Sequence, residues 1–275
     1  MNSRSASVLY DVPGPRARAR YRLFGVLGVL GIAALLWWIV AVLADKGQFD
    51  GWLWRSFEYK NVQQRIVDGA LATLKAFALG AVGSLVLGVL LAVGRLSDHR
   101  PVRVACTAVV QFFRAMPLLI MIFALYTAVF TAQPLWALVL GLSVYNGAVQ
   151  AEIIRSGINA VPRGQGEAGY ALGLRKTQVM TLVLLPQSVR AMLPAIIGQL
   201  VVTLKDTSLG YIITYPELLF VGRWIASNSD GYPYIPVILV ITPLYIAMCL
   251  ALSGLARWIE SRGRRGARAR GTAAA

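Results

Sequence analysis

Acidic residues, histidine and cysteine are scarce in this chain, with 12 Asp and Glu, one His and two Cys among 275 residues. A membrane-embedded enzyme needs clustered His, Asp, Glu or Cys at its spans to bind metal or move protons, and the acids here are scattered. Cys106 and Cys249 show no CxxC spacing and His99 has no second ligand near it, so neither a metal site nor redox chemistry is expected. The chain also lacks a Gly-x-x-x-x-Gly-Lys-Ser/Thr stretch. Its nearest fragment, Gly173-Leu174-Arg175-Lys176-Thr177, has no cradle of backbone amides for phosphates. ATP hydrolysis by this chain is therefore not expected, and no cofactor is called for within it.

What the sequence has in quantity is apolar length. It is 57% hydrophobic and 14% charged, and its apolar runs exceed what a soluble core helix needs. Runs at about 23–44, 67–94, 115–131, 135–154, 193–213 and 235–256 are each long enough, or nearly so, to cross roughly 30 Å of hydrocarbon as a helix. The expectation is an all-α polytopic membrane protein with about six transmembrane helices. The start of the third run is the weakest, since Arg114 and Pro117 suit a half-buried turn. Small residues at Gly80, Gly83 and Gly88, and at Gly25, Gly28 and Gly31, suit close helix approach, although glycine is also simply common in membrane helices.

A formal charge of +15 would suggest nucleic acid in a soluble protein. Here the cations follow topology instead. Segments 1–22, 95–103, 155–190 and 257–270 hold 19 of the 27 Lys and Arg, whereas the alternate segments hold only Lys46, Arg55, Lys60, Arg65 and Arg223. This bias predicts that both termini and the loop near Glu167 are cytoplasmic. It makes the basic ends orientation signals, with binding of anionic lipid secondary and nucleic acid excluded for want of a recognition module. The chain divides into a disordered basic tail (1–22), a first span and external segment (23–66), a membrane core (67–259) and a basic tail (260–275). In the external segment Trp52, Trp54, Phe57 and Tyr59 suit the headgroup region.

Between the fourth and fifth runs lies a polar loop, 156–191, that reads as two short helices joined at Gly173, a residue free to adopt left-handed backbone. Pro186 disfavours helical geometry at Leu185, which predicts a turn there before the membrane. Ala168, Ala171 and Leu172 would form a small apolar face beside Glu167, a knob for a groove on a partner. The sequence Glu167-Ala168-Gly169, three residues, Gly173, nine residues, Val183, one residue, Leu185-Pro186 resembles the EAA loop of bacterial ABC importer permeases. Gly169 and Val183 depart conservatively from the Ala and Ile of that pattern.

The resemblance to the polar amino acid (histidine, glutamine, glutamate) branch extends over about 67–260. It includes Arg114-Ala115-Met116-Pro117-Leu118-Leu119, Tyr145 through Ile158, Gly164-Gln165, and Lys205-Asp206-Thr207-Ser208-Leu209. The stretch Val8-Leu9-Tyr10-Asp11-Val12-Pro13-Gly14-Pro15 resembles the start of actinobacterial glutamate-uptake permeases. The family implies a type I ABC importer permease in the bacterial cytoplasmic membrane. Its expected partners are two ATPase subunits that bind ATP and Mg, a second and distinct permease, an extracytoplasmic amino-acid-binding protein, and membrane lipid. Glutamate is the expected substrate, with glutamine, arginine, histidine and cystine as alternatives; an ATPase-independent transporter or channel is the reading from another class.

Charges within spans mark where substrate is sensed or where a partner neutralises them. Lys75 and Lys205 lie at similar depth, so both could face one aqueous cavity with Asp206, Thr207, Ser208 and Arg114. The competing reading has Lys205 paired with Asp206 and Lys75 snorkelling to the surface. Glu152 and Arg155, three apart, are placed to form an ion pair on one helix face.

Overall fold

The computed structural model describes residues 14–272, with side chains described to Trp258. It resolves into two compact units, 1–54 and 55–275.

The first unit contains α1, Pro15–Asp45, and no described side chain of this helix is buried. An apolar helix with nothing buried in protein is suited to lipid. Helix starts at Pro15, so the expected disordered tail is corrected over 15–22. Proline is well placed at a first turn because the backbone donor it lacks would have no partner there. Residues 1–13 of that tail lie outside the described residues.

The second unit begins with the end of a 3₁₀ turn, Gly51–Glu58, and its described residues then run through α2 (Lys60–Arg95), α3 (Arg100–Ala115), α4 (Leu118–Ala128), α5 (Pro134–Asn159), α6 (Arg163–Ala171), α7 (Lys176–Gln178), α8 (Leu185–Asp206), α9 (Leu218–Asn228) and α10 (Tyr234–Thr272). Five helical stretches of the described residues are long and apolar enough to span a membrane, or six if α3 and α4 count as one broken span. The basic C-terminal segment is not set apart by a break, because α10 continues to Thr272.

The core is built on α2 against α5. The buried positions of α2 include Gly69, Thr73, Ala76, Gly80, Ser84, Gly88 and Ala92, a stripe spaced by three and four residues along one face. All are small, and the approach is close. A Cβ on Gly83 would lie 2.2 Å from Ser143 Oγ, and one on Gly88 would lie 2.6 Å from Gln150 Cβ. Absence of a side chain therefore lets the backbones meet, the packing that membrane helices use where no hydrophobic force separates protein from lipid. Ile122, Leu138 and Leu142, all fully buried, fill the space between α4 and α5.

Three elements differ from the sequence expectation. The third span, expected over 115–131, is bent by 97° between α3 and α4. Met116 and Pro117 are extended there, because proline restricts the residue before it. Helix α4 alone, at 11 residues, reaches only about 16 Å at about 1.5 Å per residue. The fifth span begins near Lys176 rather than 193, and Pro186 makes no turn. Val179–Leu184 is π-helical and leads directly into α8, with Pro186 in its first turn where a missing donor is tolerated. The Gln187 side-chain amide donates to the Val183 carbonyl at 2.9 Å, satisfying an acceptor beside the proline. Finally, α9 forms between the fifth and sixth runs, burying Leu218, Val221, Gly222, Ile225 and Ala226 against α2 and α10.

Replacing Gly88 by Ala forces a methyl into Gln150 Cβ and is expected to destabilise by about 1–3 kcal/mol through overpacking. Gly198→Ala, where an added Cβ meets nothing within 4 Å, serves as the control. Thermal unfolding of purified protein in detergent should show a lowered midpoint only for Gly88→Ala; equal midpoints would contradict the close approach.

Candidate functional site: the coupling loop and a polar cleft

Helix α6 follows Pro162, whose backbone is extended, and ends in a specific closure. Gly173 takes φ +77; its N–H donates to the Tyr170 carbonyl at 2.9 Å, and the Leu174 N–H donates to the Gly169 carbonyl at 3.2 Å. These paired bonds are a Schellman motif, which needs a left-handed residue at the position that Gly173 occupies. A new helical start follows, in which the Gln178 side chain accepts from the Arg175 N–H at 2.9 Å. The bend foreseen at Gly173 is thus a hydrogen-bonded corner.

The loop is fastened in three places, two on α6 and one on α7. A Cβ on Gly169 would lie 3.0 Å from Val179 Cγ2, so α6 rests closely on the π-helical segment and glycine suits the third position of the Glu-Ala-Ala pattern. Gln187 Nε2 donates to Gln165 Oε1 at 3.2 Å. Lys176 Nζ bonds Asp98 in the turn between α2 and α3, and the ammonium beside Asp98 holds its carboxyl below the usual range. Outward from this frame, Glu167, Ala168, Ala171 and Leu172 are exposed, Leu172 by 81% and the neighbouring Tyr170 by 51%. Glu167 makes no ion pair among the described residues. Leu185 and Pro186 lie at the start of α8 rather than at a loop end, and both are exposed.

The residues expected around a cavity do not converge. Lys205 and Ser208 line an open cleft of about 500 Å³ facing Thr242, Tyr245, Cys249 and Ser253 of α10. Lys75 is exposed and is not among the lining residues. Thr73 and Ala76, on either side of Lys75, lie on the buried face of α2, so the lysine projects from another face. Thr207 is fully buried, donating to the Leu204 carbonyl at 2.7 Å. Asp206 is half-buried beside Asn146 and forms no ion pair with Lys205 within 4 Å. Arg114 lies 3.7 Å from Glu152 Oε2, away from the cleft, and Arg155 Nη2 lies 2.5 Å from Glu152 Oε1. Arg95, buried, also pairs with Glu152.

Sequence reasoning passed over Glu217. Fully buried, it caps α9 by accepting from the Leu219 and Phe220 N–H groups at 2.8 and 2.7 Å, and it accepts from the Tyr245 hydroxyl at 2.6 Å. The Leu218 N–H donates to Thr73 Oγ1 at 3.1 Å, and the Tyr215 hydroxyl donates to the Ala72 carbonyl at 2.9 Å. One carboxylate thereby fixes a ring that lines the cleft. Pro216-Glu217 ahead of an apolar run is a helix-start signal that could have found it. The polar seam of Asn146, Gln150 and Gln199 was also passed over; Gln199 Nε2 donates to Asn146 Oδ1 at 2.7 Å. Two cations rest on rings, Arg65 on Trp224 at 4.1 Å and Arg223 on Tyr211 at 4.9 Å. Among the described residues no three His, Cys, Asp or Glu gather as metal ligands.

Residues 84–265 match the family described as the binding-protein-dependent transport system inner membrane component. The chain belongs to that family. It is 40% identical over 82% of its length to the glutamate transport system permease protein of Corynebacterium glutamicum, covering 85% of that protein. It is 32% identical over 71% of its length to a probable glutamine ABC transporter permease of Bacillus subtilis, covering 92% of it. A crystal structure of an amino acid ABC transporter with histidines superposes with a TM-score of 0.68 at 28% identity, over 73% of this chain and 94% of that one. The chain is an ABC importer permease of the polar amino acid branch, a non-catalytic, multi-pass component of the inner membrane. Its helices match the type I importer architecture. Membership implies ATPase, second-permease and binding-protein partners.

Glu217→Ala removes the acceptor of two backbone N–H groups and of the Tyr245 hydroxyl. It is expected to cost about 3 kcal/mol, within the range for lost caps and orphaned buried donors. Tyr245→Phe, which leaves the cap intact, should cost about 1 kcal/mol. Chemical unfolding in mixed micelles measures both, and equal losses would mean that the cap carries nothing.

Proposed function

We propose that this permease carries glutamate, and that its α6 knob seats in a groove on a cytoplasmic ATPase, one of two in the assembly. The rigid corner at Gly173 carries the coupling part of this reading, since a knob closed by paired hydrogen bonds transmits a rigid-body movement that a loose loop would absorb. Nucleotide-driven closure of the ATPases would draw the knobs together and shift the spans between inward-open and outward-open states. The Lys and Arg bias supports a cytoplasmic loop and cytoplasmic termini. A distinct second permease and an external binding protein complete the proposed complex. Glu167, Ala168, Ala171 and Leu172 would meet the ATPase.

Two observations support glutamate: the name carried by the 40% identical relative, and Lys205 facing a cleft with no ion-pair partner among the described residues. A cation lining a cleft favours an anionic substrate. The second reading is another polar amino acid, supported by relatives whose names specify glutamine and arginine, the latter at 29% identity.

The test is ATP-dependent uptake of labelled glutamate by proteoliposomes containing this chain, its partner permease, the ATPase and the binding protein, with glutamine and arginine as competitors. Glutamate uptake that glutamine does not displace is expected; the reverse would reassign the substrate while keeping the mechanism. Lys205→Met should raise KM for glutamate about tenfold, the order of one charge-assisted contact. Leu172→Asp should uncouple ATP hydrolysis from uptake while leaving the thermal midpoint unchanged, because Leu172 is 81% exposed.

A further inference from the structure

Where α2, α3 and α5 meet, three guanidiniums share one carboxylate. Glu152 accepts from Arg95 Nη1, from Arg155 Nη2 at 2.5 Å and from Arg155 Nε at 3.4 Å. Arg114 stands 3.7 Å from the same carboxylate, beyond hydrogen-bonding distance. The group holds an excess of two positive charges. Arg95 is the last residue of α2 and only 8% exposed, and its Nε donor has no hydrogen-bond partner. A buried donor without an acceptor is costly, and the Glu152 carboxylate already serves the others. Arg95 and Arg114 both approach Glu152 Oε2, and the Arg114 side chain is 37% exposed and so reachable from outside.

We propose that this site binds a second oxyanion, a phosphate group. A phosphate oxygen offers acceptors to the planar guanidinium fork and offsets the excess charge. The neighbouring surface favours a phospholipid headgroup as its source. Helix α3 leaves Val104 and Phe112 exposed by 58% and 59% and bends by 97° from α4, the placement of an amphipathic helix lying along a membrane surface rather than crossing it. In that placement its last turn, which contains Arg114, would lie near the headgroups. Dissolved phosphate shares the same chemistry.

The full transporter, delipidated in a neutral detergent, is followed by thermal unfolding while titrated with dioctanoyl phosphatidylglycerol. Dioctanoylglycerol, which lacks the phosphate, is the control; sodium phosphate against sodium chloride at matched ionic strength is the second arm. A saturable rise in midpoint with the phospholipid and none with dioctanoylglycerol is expected, following mass action. Arg114→Gln should weaken the half-saturation about tenfold, and Arg100→Gln, outside the group, should not. Arg114→Lys, which keeps the charge without the fork, should fall between and covers the case in which the glutamine variant assembles poorly. A response to the phospholipid alone assigns the headgroup; an equal response to sodium phosphate assigns a dissolved ion. Absence of a saturable rise in both arms, or a wild-type response from Arg114→Gln and Arg114→Lys alike, overturns the proposal.

Discussion

The close contact of α2 with α5 is the constraint from which the rest of the membrane core follows. Small residues along one face of α2 bring two backbones within van der Waals distance of each other's first side-chain atoms. That contact fixes both the depth and the rotation of α2, and the polar groups on the same helix are positioned with it. Thr73 is held where it accepts from the Leu218 N–H, and Arg95 where it reaches Glu152 on α5. One helix face thus ties the α9 end of the core to its opposite end. Interiors packed this way move between discrete arrangements rather than deforming smoothly, which is what alternating access demands of a permease.

Stiffness has to extend into the loop for a partner's motion to reach the spans. Three ties hold the loop, two on α6 and one on α7, and they differ in kind. Gly169 against Val179 is steric, Gln165 with Gln187 is a hydrogen bond, and Lys176 with Asp98 is an exposed ion pair. The last contributes little by itself, since exposed pairs are screened, so the steric seat and the Schellman corner hold most of the geometry. The π-helical stretch then carries α7 into α8 without a hinge. In the proposed coupling, a movement of the knob would act on a 38-residue helical stretch, Lys176–Ile213, whereas a turn at Pro186 would have interposed a joint.

What was legible in the sequence followed local rules. Apolar run length located the long spans, and the left-handed corner at Gly173 is a single-residue requirement readable from glycine in a polar loop. What escaped was set by partners far along the chain. Arg114 reads as a charge in a span, but Glu152, on a different helix, decides its place. Glu217 meets Tyr245 28 residues away, and Thr73 meets Leu218 145 residues away. No window of neighbouring residues contains both members of such pairs. Pro186 misled for the opposite reason: its rule is local and correct, but a widened turn just ahead of it absorbed the missing donor.

The distribution of charge across this core separates two kinds of cation. Arg65 and Arg223 rest on aromatic rings, and Arg155 is hydrogen-bonded to a carboxylate, so each has its charge met within the chain. Lys205 differs, for it faces a cleft across from Thr242 and Tyr245, with the nearest acid in sequence, Asp206, turned to Asn146. An ammonium is a compact point charge that tolerates water and exchanges partners readily, whereas a guanidinium prefers a fixed planar partner. The pairs around Glu152 accordingly use arginine, and the cleft uses lysine. If the cleft is the proposed substrate site, it has to bind and then let go, and a lysine whose orientation is not locked by a carboxylate would suit that reversible contact. Its opposing wall is steady because the buried Glu217 carboxylate, fixed by two backbone N–H groups, holds the Tyr245 hydroxyl in place.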